Sequence, residues 1–199
     1  MKKFLFIIFF FITSNLYSEQ KLTLVASVNN LIITSLDISN EIALLKVLNN
    51  SARIDDDQEK QVALENMINE ILKETEIKAK NIKLKNKELV DRRYNELLQK
   101  ITENNKPIST DMKGKIYQKI KLDYQWNQLI TEQYSWMISV NMNEINEKLD
   151  KIKKNESTDP DKFIAIKEEL IMTEKNKKMN TYSTIHMEKI KKKSLIKFF

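Results

Sequence analysis

Behind an apolar leader, the spacing of hydrophobic positions along this chain changes once, at residue 34. Before that point two short β-type runs, Val25-Ala26-Ser27-Val28 and Leu31-Ile32-Ile33-Thr34, flank Asn29-Asn30. Asn tolerates the left-handed backbone of a two-residue turn. The pattern therefore predicts a hairpin with Leu24, Ala26, Val28, Leu31 and Ile33 on one face. After that point Thr34 and Asp37 have the spacing of a capping box, and Ile38, Ile42, Leu45 and Leu48 recur at helical steps. Residues 58–80 keep that period, with Leu64, Met67, Ile68, Ile71, Leu72 and Thr75 on two adjacent ridges. Asn86 predicts the N-cap of a helix over 87–103, with Glu88 in its first turn and Leu89, Tyr94, Leu97, Leu98 and Ile101 facing inward. Asn104, Asn105 and Pro107 end it. A long helix then runs from about 111 to 137 through Ile116, Ile120, Leu122, Trp126, Leu129, Ile130 and Met137. Its apolar surface is too broad for one seam, so it should pack on more than one neighbour. The polar run 151–163, with Pro160 near its end, reads as a linker or turn.

One glycine and two prolines are too few turn formers for a mostly β chain, so the fold class is mainly α. Residues 1–18 read as a secretory signal: Lys2 and Lys3, an apolar stretch over 4–12, and a cleavage site at Leu16-Tyr17-Ser18. That stretch is about half the ~20 residues of a membrane-spanning helix, which disfavours the rival reading as an uncleaved anchor. With no cysteine there is no lipidated anchor, disulfide or thiolate metal site. Residues 19–199 are long enough for one substantial core.

Net charge is +6, but acids are interspersed along the helices, so most of it belongs to solvated faces. Arg53, Arg92 and Arg93 are the only arginines, an unpromising supply for reading bases or phosphates, and nucleic acid is not expected as a partner. Lys113-Gly114-Lys115 lacks the glycine spacing of a phosphate loop. His186 is the only histidine and has no cysteine or second histidine to join it in catalysis. Asp55-Asp56-Asp57 lacks the alternating ligands and glycine of a calcium loop and suits the N-terminus of the helix behind it. No enzyme, metal or cofactor is expected.

The run Val28-Asn29-Asn30-Leu31-Ile32-Ile33-Thr34-Ser35-Leu36-Asp37-Ile38 matches V-N-x-x-x-I-T-x-x-D-I. It resembles the opening of the chaperone region in the SurA family of parvulin-type periplasmic foldases. Three later segments resemble the same family in order: the helix opening Ile82-Lys83-Leu84-Lys85-Asn86-Lys87-Glu88-Leu89, the long-helix core Trp126-Asn127-Gln128-Leu129-Ile130, and Ile138-Ser139-Val140 before a new helix start. The residues after Glu169 look like the family's C-terminal helix and closing strand. Two departures stand out. Residues 106–115 are compressed before the long helix, and no room exists for a parvulin domain, since only 151–163 occupies its junction.

The resemblance implies a SurA-like helical chaperone core over 19–199 in which a strand at 195–199 joins the N-terminal hairpin; a frayed helix end is the alternative for those residues. It implies a periplasmic, ATP-independent holdase for unfolded outer-membrane proteins, without prolyl isomerase activity. Such a protein would offer an apolar recess. Flexible Met and aromatic side chains suit varied clients, which makes Tyr134, Trp136, Met137, Met142, Met172 and Met179 the candidate client-binding residues. Core packing is the competing reading for each, least so for Trp136 beside the extended run. The alternative function is an envelope scaffold or membrane-surface protein. It would use Lys189, Lys191, Lys192 and Lys193 next to Leu195, Ile196, Phe198 and Phe199 as a basic, apolar patch for anionic lipid.

Overall fold

A computed structural model describes residues 22–48, 56–104, 106–155 and 160–199. The expected signal at 1–18, Asp55 of the acidic triplet and 156–159 of the expected linker lie outside the described residues. Strands β1 (Leu24–Val28) and β2 (Leu31–Thr34) form the hairpin, with Asn29 at φ 48° and Asn30 at φ 73°. Two successive left-handed residues give the mirror-image turn whose twist suits adjacent strands. Ala26, Val28 and Ile33 are buried as the alternation requires, but Leu24 and Leu31 are about half exposed. A register shift between Leu24 and Ala26 takes Leu24 off the inner face, and Leu31 stands beside the turn on an edge strand.

Helix α1 (Ser35–Leu48) starts at the predicted box. The Asp37 N–H donates to Thr34 Oγ1 (3.3 Å), while Asp37 Oδ2 accepts from the Thr34 N–H (2.9 Å) and hydroxyl (2.6 Å). Its buried residues are Ile38, Glu41 and Leu44, while Ile42, Leu45 and Leu48 of the expected stripe are partly buried and pack on the cores. Glu41 turns inward because a lysine of the long helix meets it. Helix α2 (Asp56–Ala79) opens on Asp56, Asp57 and Glu59, whose charge suits its positive end. It closes with Asn81 at φ 52°, the Ile82 N–H donating to the Ile77 carbonyl and the Asn81 N–H to that of Lys78. That is a Schellman stop with Asn in the place Gly usually takes.

The link after α2 is extended and held by two amide side chains. Gln128 accepts from the Lys85 N–H and donates to the Lys83 carbonyl, and Gln125 donates to that of Ile82. Asn86 then caps α3 (Lys87–Glu103) by accepting from the Leu89 N–H, and Ser109 caps α4 (Thr110–Ile138) through Met112. Helix α5 (Met142–Asn155) and helix α6 (Pro160–Lys191) extend into 151–163 from both sides. The expected linker is thus mostly helical, since Pro is well tolerated in the first turn of a helix and Pro160 begins one.

Strand β3 (Ile196–Phe198) pairs antiparallel with β1, giving a sheet of order β2-β1-β3 that brings residues 22–34 and 195–199 together. Asn29 secures it: its N–H donates to the Leu195 carbonyl (2.9 Å), its Oδ1 accepts from the Leu195 N–H (2.9 Å), and its amide donates to Ser194 Oγ (3.3 Å). The main core lies between this sheet, α2, α4 and the C-terminal half of α6, around Ile33, Leu72, Trp126, Leu129 and Ile130. A smaller core of Leu44, Ile101 and Ile116 joins α1, α3 and α4. The fold is mainly α with a small terminal sheet. Among the described residues no helix is long and apolar enough to cross a membrane.

Candidate functional site

The six candidate client-binding residues are not one surface. Tyr134 belongs to the core: its hydroxyl lies 3.0 Å from His186 Nδ1 and its ring stacks on Tyr182 at 5.2 Å. Met179 also packs on the main core, with its sulfur 3.5 Å from the Thr131 hydroxyl. Met137 is half-buried. The other three face solvent, Trp136 being 71% exposed, Met172 56% and Met142 41%.

At the end of α4, Tyr134 leaves helical angles (φ −121°, ψ 21°); Tyr134 and Ile138 pack on the core that holds Trp126, Leu129 and Ile130, while Trp136 between them is exposed. Ser139 then donates to the Trp136 carbonyl (2.7 Å), and Lys178 of α6 donates to the Ser139 carbonyl (2.7 Å). Asn141 accepts from the Asn143 N–H and starts α5. The corner is therefore built to a definite shape, with the indole of Trp136 left outside it. Beyond the corner α5 and the N-terminal half of α6 form an arm, cross-linked by Lys148 and Glu174 at 3.6 Å. Ile145 and Leu149 are buried, while Met142, Met172 and Ile164 are exposed.

A recess of about 470 Å³ lies where α1, α2 and α4 meet. Its floor includes Leu44, Ile71 and Leu122, but its wall is charged, unlike the apolar hollow expected from the resemblance. Lys119 donates to buried Glu41 (2.9 Å) and to Glu70. Burial pushes the Glu70 carboxyl above its ordinary 4.5 against the pull of Lys119, with Glu41 and Asp123 adding to the rise. The same three charged groups also border a second groove of about 470 Å³ toward α6. An ion network thus forms the wall between two grooves. Sequence periodicity gave no sign of it, since it depends on three helices converging.

His186 is buried where α2, α4 and α6 meet, with Tyr134 on one ring nitrogen and Glu76 Oε1 3.3 Å from the other. Burial holds its pKa below the ordinary 6.5; Glu76 opposes this, and Lys189 and Lys80 add to it. Trp126 packs against the ring at 5.4 Å and donates its indole N–H to Ser183 (2.7 Å). His186 meets the Tyr134 phenol, and the Ser183 hydroxyl accepts the indole N–H, an arrangement that fits packing bonds between helices. Among the described residues no group of acidic or histidine side chains is placed to hold a metal ion.

No family model matches the chain, and no curated protein matches it at a significant level.

Proposed function

We propose that this protein is an ATP-independent holdase of the bacterial periplasm, exported by its signal, that binds unfolded outer-membrane proteins and performs no catalysis, prolyl isomerisation included. The observation that carries the reading is the exposure of Trp136, Met142, Met172 and Ile164 at the α4–α5 corner and along the arm. Tryptophan is the costliest of these to leave in water, and flexible methionines repack against many partners. Micromolar binding, about −8 kcal/mol, suffices to lower free unfolded protein by mass action and still lets a client leave without ATP.

The test is dilution of an unfolded outer-membrane barrel from urea into near-stoichiometric protein, followed by light scattering. Aggregation should be suppressed, and Trp136→Ser with Met172→Ser should weaken suppression at nearly unchanged stability, since both side chains are exposed. The same protein should leave the isomerisation rate of a proline tetrapeptide unchanged. Undiminished aggregation sinks the reading.

A second reading, an envelope scaffold on the membrane surface, is favoured by one observation. Lys192, Lys193 and Lys197 are exposed beside exposed Leu195, Phe198 and Phe199. Co-sedimentation with anionic vesicles that is lost at high salt, without any effect on barrel aggregation, would favour it.

A further inference from the structure

Of the fourteen large apolar side chains exposed on the described surface, eight lie in residues 22–36 and 195–199, in and around the small sheet. Those stretches form about a tenth of the chain, so the concentration points to the sheet rather than to ordinary scatter. Its two edges are not equivalent. On β2 the Thr34 N–H is already taken by Asp37, and the chain turns straight into α1. On β3 the Phe199 N–H donates to the Val25 carbonyl and the Leu195 carbonyl accepts from Asn29, with Lys197 opposite Ser27 between them. In an antiparallel ladder the alternate residues then turn outward. The N–H and C=O groups of Ile196 and Phe198 face away from β1 with no strand beyond them among the described residues.

Side chains at this edge are equally unfinished. Ile33, Ala26 and Phe198 form one row across the inner face, with exposures of 1%, 0% and 66%. The helices cover that row until its last member. Charge adds a second constraint. Lys191 is taken by Glu65 and Glu188, whereas no carboxylate lies within ion-pair distance of Lys192, Lys193 or Lys197 among the described residues.

We infer that the outer edge of β3 is a docking site for an extended polypeptide segment, which adds a fourth strand, lays apolar residues beside Phe198 and sets acidic ones against Lys197 and its neighbouring lysines. The inference rests on the reading of the protein as a binder of unfolded chains and names the kind of segment it holds. Alternating strands of an unfolded barrel have the required pattern, since every second residue is apolar. Main-chain bonds to Ile196 and Phe198 would supply affinity without demanding a sequence, and Lys197 would bias the choice toward acidic segments.

The experiment is amide exchange in the full mature protein with a synthetic decapeptide of alternating Val or Tyr and Asp. Exchange at Ile196 and Phe198 should slow about tenfold, while Lys197 and Phe199, already turned toward β1, should change little. Phe198→Pro removes an outward donor without touching the β1 ladder and should abolish the protection. Should that variant loosen β3 itself, Lys197→Glu leaves the backbone intact; it should weaken the Asp peptide about tenfold and favour a Lys-substituted one. Peptide binding without added protection at the two edge amides overturns the site. So does protection that arises from raising protein concentration alone, meaning a second copy, or from anionic vesicles alone. If the edge amides stay unprotected while the protein still suppresses barrel aggregation, only this site falls. If suppression also fails, the holdase reading falls with it.

Discussion

The two halves of α6 lead different lives. Its C-terminal half sends His186 and Ile190 into the main core, against α2 and α4 and beneath the three-stranded sheet. Its N-terminal half pairs with α5, where Lys148 meets Glu174, and over 162–178 none of its residues is buried. A helix of 32 residues is about 48 Å long, more than a core of this size can cover. The lesson is that stability and availability are divided along one helix. The sheeted end is closed by contacts between sequence-distant segments, and the arm keeps its apolar contacts at Ile145 and Leu149 outside both cores. Surfaces that must take up varied partners come from the less stable regions of a fold, and here those regions carry Met142, Ile164 and Met172.

The sharpest test of this division compares two leucines. Leu129 is fully buried in the main core, and Leu149 is buried only in the arm. Leu129→Ala should cost about 2–5 kcal/mol in urea unfolding, the range for a core cavity. Leu149→Ala should speed amide exchange throughout α5 while shifting the global urea midpoint far less. Equal losses in the two variants would mean that the arm unfolds with the core, and the division would be gone.

Next in size is the seam between the two chain regions of the sheet. Removing residues 195–199 takes away β3 and leaves Asn29 without the Leu195 partners of its N–H and side-chain oxygen. Exchange at residues 25–33 should quicken markedly, with α5 and the first half of α6 unaffected. Exchange that stays the same at 25–33 would show that the hairpin stands on α1 and α2 alone.

Much of this was legible from local signals. The Asn-Asn turn, the Thr34–Asp37 box, the Asn86 cap and the bounds of α3 all follow from interactions within a few residues, which sequence spacing records directly. The pairing of residues 195–199 with the hairpin is long-range. Family resemblance pointed to it, although the pairing leaves Leu195, Phe198 and Phe199 more than half exposed. What stayed hidden depends on convergence. Periodicity scored Glu41 as a solvent residue because nothing local announces Lys119, 78 residues away. Tyr134 and Met179 read as available surface because the kink at 134 and the packing of α6 on α4 are tertiary facts. Trp136 lies ten positions beyond Trp126, about 80° round a regular helix, and it is 71% exposed while Trp126 is 2% exposed. Of the six candidate surface residues, Trp136, Met142 and Met172 are exposed, Met137 is half-buried, and Tyr134 and Met179 pack on the core.

The smallest expected effect is a pH dependence confined to the closed end. His186 is held neutral by burial, so its folded pKa lies below the ordinary 6.5. A depressed histidine contributes stability that is present above pH 6.5 and is lost as pH falls through the folded value. Glu70 has the opposite sense: its raised pKa contributes stability that is present below its ordinary 4.5 and is lost as pH rises above that. The windows meet at the acidic end, so between pH 7.5 and 6 the histidine should govern. Thermal unfolding should shift to lower temperature across that interval, and His186→Gln, which can still accept from Tyr134, should flatten the slope. The groups facing the ring give the sign its margin. Glu76 favours the charged form, Lys80 and Lys189 resist it, and Tyr134 can donate only while Nδ1 is unprotonated. Exchange in the arm, which has no histidine, should keep its pH dependence in both proteins once the intrinsic rate is removed. A slope unchanged by His186→Gln would move the proton uptake elsewhere and leave the two halves of α6 alike in their response to acid.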